Sequence, residues 1–172
     1  MNPRWNGHEW TADIAIPPWS AFTAGRDIVP VTFIMDPGSA PAPFQVRSLG
    51  SLPSVAAPLL SAAVVRMREY YDSLRPKYAA FARQAPSFMG DPDIAMPASP
   101  DAGTFAHLHE LQGLFVLPLE RDGLAYVGFS FRPTWEPEHG LGLMTHGARV
   151  VGIGGADVSF VLDAAEDDLA RA

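Results

Sequence analysis

The chain has 172 residues, a formal net charge of −7 and no cysteine, with 48% hydrophobic and 18% charged residues. This length and mix predict one globular domain over 1–172, and the absence of cysteine excludes a disulfide framework, a thiolate metal site and a cysteine nucleophile. The charge argues against nucleic acid, because phosphate binding needs Lys and Arg and only 12 are present.

Asp13–Ile16, Ile28–Met35 and Phe44–Val46 are short stretches rich in β-branched and aromatic residues, each ended by Pro or Gly. They predict an antiparallel meander of strands within 1–50, with Pro30 on an edge strand, where its missing N–H matters least. A helix is expected over 54–84, with Ser54 as N-cap and Pro58 in or beside the first turn. Leu60, Val64, Met67, Tyr71, Leu74 and Tyr78 recur at three- and four-residue spacing and form one apolar stripe. Tyr70, Tyr71 and Tyr78 read as core and rim packing. Pro76 should kink or restart the helix.

The stretch 85–103 holds four prolines and two glycines without periodicity, and predicts a long connection, poorly ordered beside the core and packed by Phe88, Ile94 and Met96. A helical turn then runs from Thr104 to Leu111, capped by Thr104 or Asp101. His107 and His109 stand two apart on it, so they do not converge on one metal and take structural or solvated roles.

Hairpins follow over 113–160. Leu114–Leu119 and Leu124–Arg132 flank Asp122-Gly123, a pair suited to a tight turn. Pro118 should hold the first of these strands at an edge or end its ladder early. Ala125, Val127, Phe129 and Phe131 share the face expected to enter the core. The next hairpin is expected to turn at His146-Gly147, pairing Thr145 with Ala148 and Leu143 with Val150, with apolar cover on both faces. Gly140 and Gly142 then share a face and leave a groove for Trp135, while Pro133 and Pro137 force an excursion between two strands.

That excursion gathers Glu136, Glu138 and His139, the residue types of acid/base chemistry or half a metal site. Folding at Pro137 would return His139 onto a carboxylate, and the carboxylates would accept backbone N–H bonds. A further ligand would have to come from His146, separated by roughly 20 Å of extended strand, or from the segment His107 to Glu110. No Gly-x-Ser-x-Gly elbow is present, and the Gly152–Gly155 run lacks the helix and Lys of a phosphate loop, so no cofactor is expected. The C-terminal Asp163, Glu166, Asp167 and Asp168 predict a solvated helix or frayed end.

Phe129-Ser130-Phe131, Trp135-Glu136-Pro137-Glu138-His139-Gly140-Leu141-Gly142 and Arg149–Gly154 resemble the C-terminal signature of a bacterial family of uncharacterised domains. In that family a strand leads into Trp-Asp/Glu-x-Glu-His-Gly-x-Gly and a valine-rich strand follows. Small bacterial proteins of this kind are associated with toxin immunity, so the resemblance implies a protein-binding role and brings no activity. The fold expected is α+β: an antiparallel sheet of N- and C-terminal strands with one long kinked helix on a face. The function expected is non-catalytic binding of a protein partner, a basic one. The rival is a metal-dependent or acid/base hydrolase using Glu136, Glu138, His139 and His146. No signal-peptide core and no run of ~18 apolar residues is present, which predicts a cytoplasmic protein without a membrane segment.

Overall fold

A computed structural model describes residues 2–36, 38–85 and 91–171. Seven strands form one sheet in chain order: β1 (Arg4–Trp5), β2 (Trp10–Ile14), β3 (Val29–Phe33), β4 (His109–Arg121), β5 (Leu124–Pro133), β6 (Leu141–His146) and β7 (Arg149–Gly154). Neighbours are antiparallel except β3 and β4, which run parallel. A parallel pair cannot be closed by a hairpin. The crossover here carries the long helix α1 (Pro43–Gln84) and two short ones, α2 (Pro92–Ala95) and α3 (Ala102–His107). The expected α+β architecture is therefore present, with one parallel junction in its middle. Pro30 is on an interior strand after all, opposite Asp13 of β2, but one residue before the ladder with β4 begins at Val31.

The helix begins at Pro43 rather than Ser54 and absorbs Phe44–Val46. Gln45 explains the difference. Its side-chain oxygen accepts the Ala42 N–H at 2.9 Å, while its amide donates to the carbonyls of Ile34 and Val116. These tertiary bonds fix the first turn against the end of β3 and the middle of β4, and they override the strand propensity of the segment. Pro53, Pro58 and Pro76 all lie inside α1, each at an exposed position. Each removes a backbone donor, at about 3 kcal/mol in a helix interior. The opposite face offsets this by burying Leu49, Leu52, Ala56, Leu59, Ala63, Met67 and Tyr71. Leu60 and Val64 of the expected stripe are only its half-buried flanks. By length and composition α1 could also cross a membrane, and in this fold its buried line lies on the sheet.

Trp19, in a 3-10 turn over Pro17–Phe22, is fully buried on the same face, stacked on Phe129 with ring centres 4.8 Å apart. Its indole N–H donates to the Ala56 carbonyl at 3.1 Å, an approach that a larger residue than Ala would obstruct. Ala125, Val127, Phe129 and Phe131 enter this core as expected.

The other face of β4 to β7 is covered by a 3-10 turn over Ala156–Ser159 and by the C-terminal helix α4 (Asp163–Ala170), around Leu117, Tyr126, Met144 and Ala165. Main chain presses directly on the sheet here. A Cβ at Gly128 would stand 1.7 Å from the Ser159 carbonyl oxygen, and one at Gly142 would stand 2.6 Å from that of Gly155. The groove expected for Trp135 is thus filled by backbone. Asp168 of α4 is not solvated: it accepts hydrogen bonds from Arg121, Arg149 and the Tyr126 hydroxyl.

Asp122 and Gly123 both take positive φ, at 52° and 77°, and close the β4–β5 hairpin as expected. Pro118 falls in a register shift between Val116 and Glu120, past the last residue of β4 that β3 pairs. The β6–β7 turn is Gly147-Ala148 instead of His146-Gly147, since Gly147 takes the positive φ. This pairs Thr145 with Val150 and, after a bulge, Leu143 with Ile153. Both faces of β6 are buried.

Candidate functional site

The chain between β5 and β6 forms a tight turn over 134–140, held from several sides. The Thr134 N–H donates to the Leu108 carbonyl and its hydroxyl to Ala95, while the His139 carbonyl accepts from the Ala156 N–H. Gly140 takes φ 66° and lies 3.0 Å, from its missing Cβ, to both Ala156 Cβ and the Phe131 carbonyl oxygen. Only glycine satisfies that conformation and that space together.

Trp135 anchors the turn inward. Its ring meets Tyr71 of α1 edge-on at 5.0 Å and the His109 ring at 4.7 Å. His109 is the first residue of β4, not part of a helical turn, and is fully buried. Its Nδ1 is 2.7 Å from the Phe105 carbonyl, which can only accept, so Nδ1 carries the hydrogen. Nε2 is then an acceptor with no partner among the described residues. Burial pushes this imidazole down to about 4, against the hydrogen bond it donates to Phe105, which raises it. His107 faces solvent with Nδ1 against Gly103, so the two histidines separate as the spacing implied.

Beyond Trp135 the turn becomes one wall of a cleft of about 830 Å³. Glu136, Pro137, Glu138 and His139 line this side, and Tyr70, Leu74, Lys77, Tyr78 and Phe81 of α1 line the other. His139 folds back as expected: Nδ1 lies 2.9 Å from Glu136 Oε1. The ring is largely exposed, and the Glu136 hydrogen bond and charge push its pKa up. The Glu138 and Lys77 side chains make no hydrogen bond or ion pair among the described residues. The Tyr78 phenol is pushed up by burial and then by the Glu136 charge; for Tyr70 the causes are burial, Asp157 and Glu136. Both phenols thus feel the Glu136 charge across the cleft.

His146 does not join this group. It closes the far end of β6, with Nε2 2.9 Å from the Arg121 carbonyl and its ring 4.8 Å from Tyr126. Glu110 is 3.6 Å from Arg26 in an ion pair. Among the described residues no three His, Asp or Glu side chains are placed to hold a metal. The turn residues were visible in sequence; the α1 wall was not. Its signal is Tyr70, Leu74, Tyr78 and Phe81, at steps of four, four and three, beside the buried Met67–Tyr71 line.

Of the connection after α1, residues 86–90, with Phe88, lie outside the described residues. Met96 is buried and Ile94 is 77% exposed. Arg75 ties down 91–101 through Asp93 and the Met96 carbonyl, and the Tyr71 hydroxyl donates to Pro97.

Fold and site together define an α+β protein with an aromatic, carboxylate-rimmed cleft between its long helix and the β5–β6 turn. Residues 5–161 match the family described as Domain of unknown function (DUF6985), and the chain belongs to that family. No curated protein and no solved structure matches the chain.

Proposed function

We propose that this is a non-catalytic protein-binding protein, of the immunity or accessory kind found in bacteria, acting in the cytoplasm on a protein partner rather than on nucleic acid or membrane. The observation that carries this reading is the cleft: its wall is a rigidly anchored turn whose outermost side chains, Glu138 and His139, are exposed. A preformed cleft of this kind can seat an anchoring side chain of a partner protein, the usual form of an interface hot spot. The net charge of −7 favours a basic partner and speeds its encounter. Co-purification from the native host at low salt tests this. A partner held by wild type and lost with Glu138→Arg is expected. No partner, or one held equally by the variant, contradicts it.

A second reading is acid/base hydrolysis, favoured by the 2.9 Å Glu136–His139 contact, which orients an imidazole and leaves Nε2 for a proton. It predicts ester hydrolysis with a pH inflection that His139→Gln abolishes. A background rate unchanged by that variant contradicts it.

A further inference from the structure

We propose that the cleft receives a cationic side chain, an arginine of the partner protein, seated between the α1 aromatics and the carboxylates of the β5–β6 turn. This rests on the binding reading above and names the chemistry of the occupant.

Four observations converge. The walls offer Tyr70, Tyr78 and Phe81, and aromatic faces attract cations, most strongly where water is partly excluded. Glu136 and Glu138 stand on the facing wall, so a planar guanidinium could lie on a ring while its N–H groups reach a carboxylate. Among the described residues the Glu138 carboxylate makes no hydrogen bond or ion pair. Finally, the cleft already holds one cation-like group against its carboxylates: His139 on Glu136 Oε1. An incoming guanidinium has the same complementarity toward Glu138.

Among the described residues Lys77 is the one fixed cation lining the cleft. It counts against a second positive charge, but it faces two carboxylates. It is exposed, and its flexible stem can carry the ammonium out into water. With that ammonium in water, the two carboxylates outnumber the His139 imidazole on the turn. An anionic occupant would face Glu136 and Glu138 with only Lys77 and a shared His139 in its favour, and a wholly apolar one would strand Glu138 beside it without a partner.

The test uses the full chain and two capped tripeptides, Leu-Arg-Leu and Leu-citrulline-Leu, at about 1 mM, where weak binding is still visible. Citrulline keeps the shape and removes the charge. The readout is the Trp135 indole N–H and the Gly140 amide in nitrogen–proton correlation spectra. The proposal expects both signals to move with the arginine peptide, with affinity about tenfold lower for citrulline and for arginine on Glu138→Gln. Equal binding of both peptides overturns the cation and leaves the cleft as a docking site. Cadaverine binding more tightly than the arginine peptide overturns the protein segment in favour of a small polyamine. No movement with any of the three overturns the docking reading as well.

Discussion

His109 and His139 are two imidazoles tied to one turn and shifted in opposite directions. His109 is sealed under Trp135 and Phe105, where burial disfavours its charged form and drives it to about 4. His139, four residues beyond Trp135, stands in solvent against a carboxylate that favours its charged form. The same residue type thus fixes the turn on its inner side and remains available on its outer side. The carboxylates repeat the contrast. Asp168 is spent on two arginines and a tyrosine, its side chain only 13% exposed, whereas Glu138 makes no hydrogen bond or ion pair among the described residues. Inner groups hold the fold, and outer ones face solvent.

The strongest way to break that division is to remove its shared element. Trp135→Ala takes a ring from Tyr71 and His109 at once and unpins the cleft wall. Large-to-small changes of this kind cost roughly 3–5 kcal/mol, so urea unfolding should show a loss in that range.

Acid titration separates the inner imidazole from the outer one. The folded-state pKa of His109 lies near 4, below the unfolded 6.5, so the unfolded chain binds the proton first. Stability is full above about pH 6.5 and falls toward pH 4, by up to about 3 kcal/mol, and His109→Leu should remove that slope in denaturation at stepped pH. Asp168 acts lower. Arg149 first, then Tyr126 and Arg121, hold its carboxyl near 2, so its contribution is present above about 3.8 and lost as pH falls toward 2. Asp168→Asn should cost about 2 kcal/mol at neutral pH, read from the urea midpoint.

The smallest effect is expected outside. Glu136→Gln should change stability by less than about 0.5 kcal/mol, because an exposed pair contributes little. It should nonetheless lower the His139 pKa, followed by imidazole proton shifts across pH 5 to 8. A change in His109 instead would show that the two histidines are not separated as described.

How far the sequence revealed this depends on the range of the forces involved. The Asp122-Gly123 hairpin and the alternating core face of β5 follow from local backbone and side-chain preferences, and both are present. The early start of α1 does not, because it depends on Gln45 reaching carbonyls of β3's end and β4, far away in sequence. The same holds for the glycines. Gly140 and Gly142 signal close approach, but only the fold shows Gly155–Ser159 as what approaches, in place of Trp135. In the candidate site, the return of His139 onto a carboxylate was legible from Pro137 and the spacing. The facing wall was hidden because Tyr70 and Tyr78 flank a buried line and resemble core until the partner element is placed.

The most direct test of the account is one variant measured twice. A chain carrying Glu136→Gln, Glu138→Gln and His139→Ala together should unfold within about 0.5 kcal/mol of wild type and lose the Leu-Arg-Leu response at Trp135. A clear loss of stability with the peptide response intact would contradict it, making the turn's polar residues part of the fold rather than the face it offers to a partner.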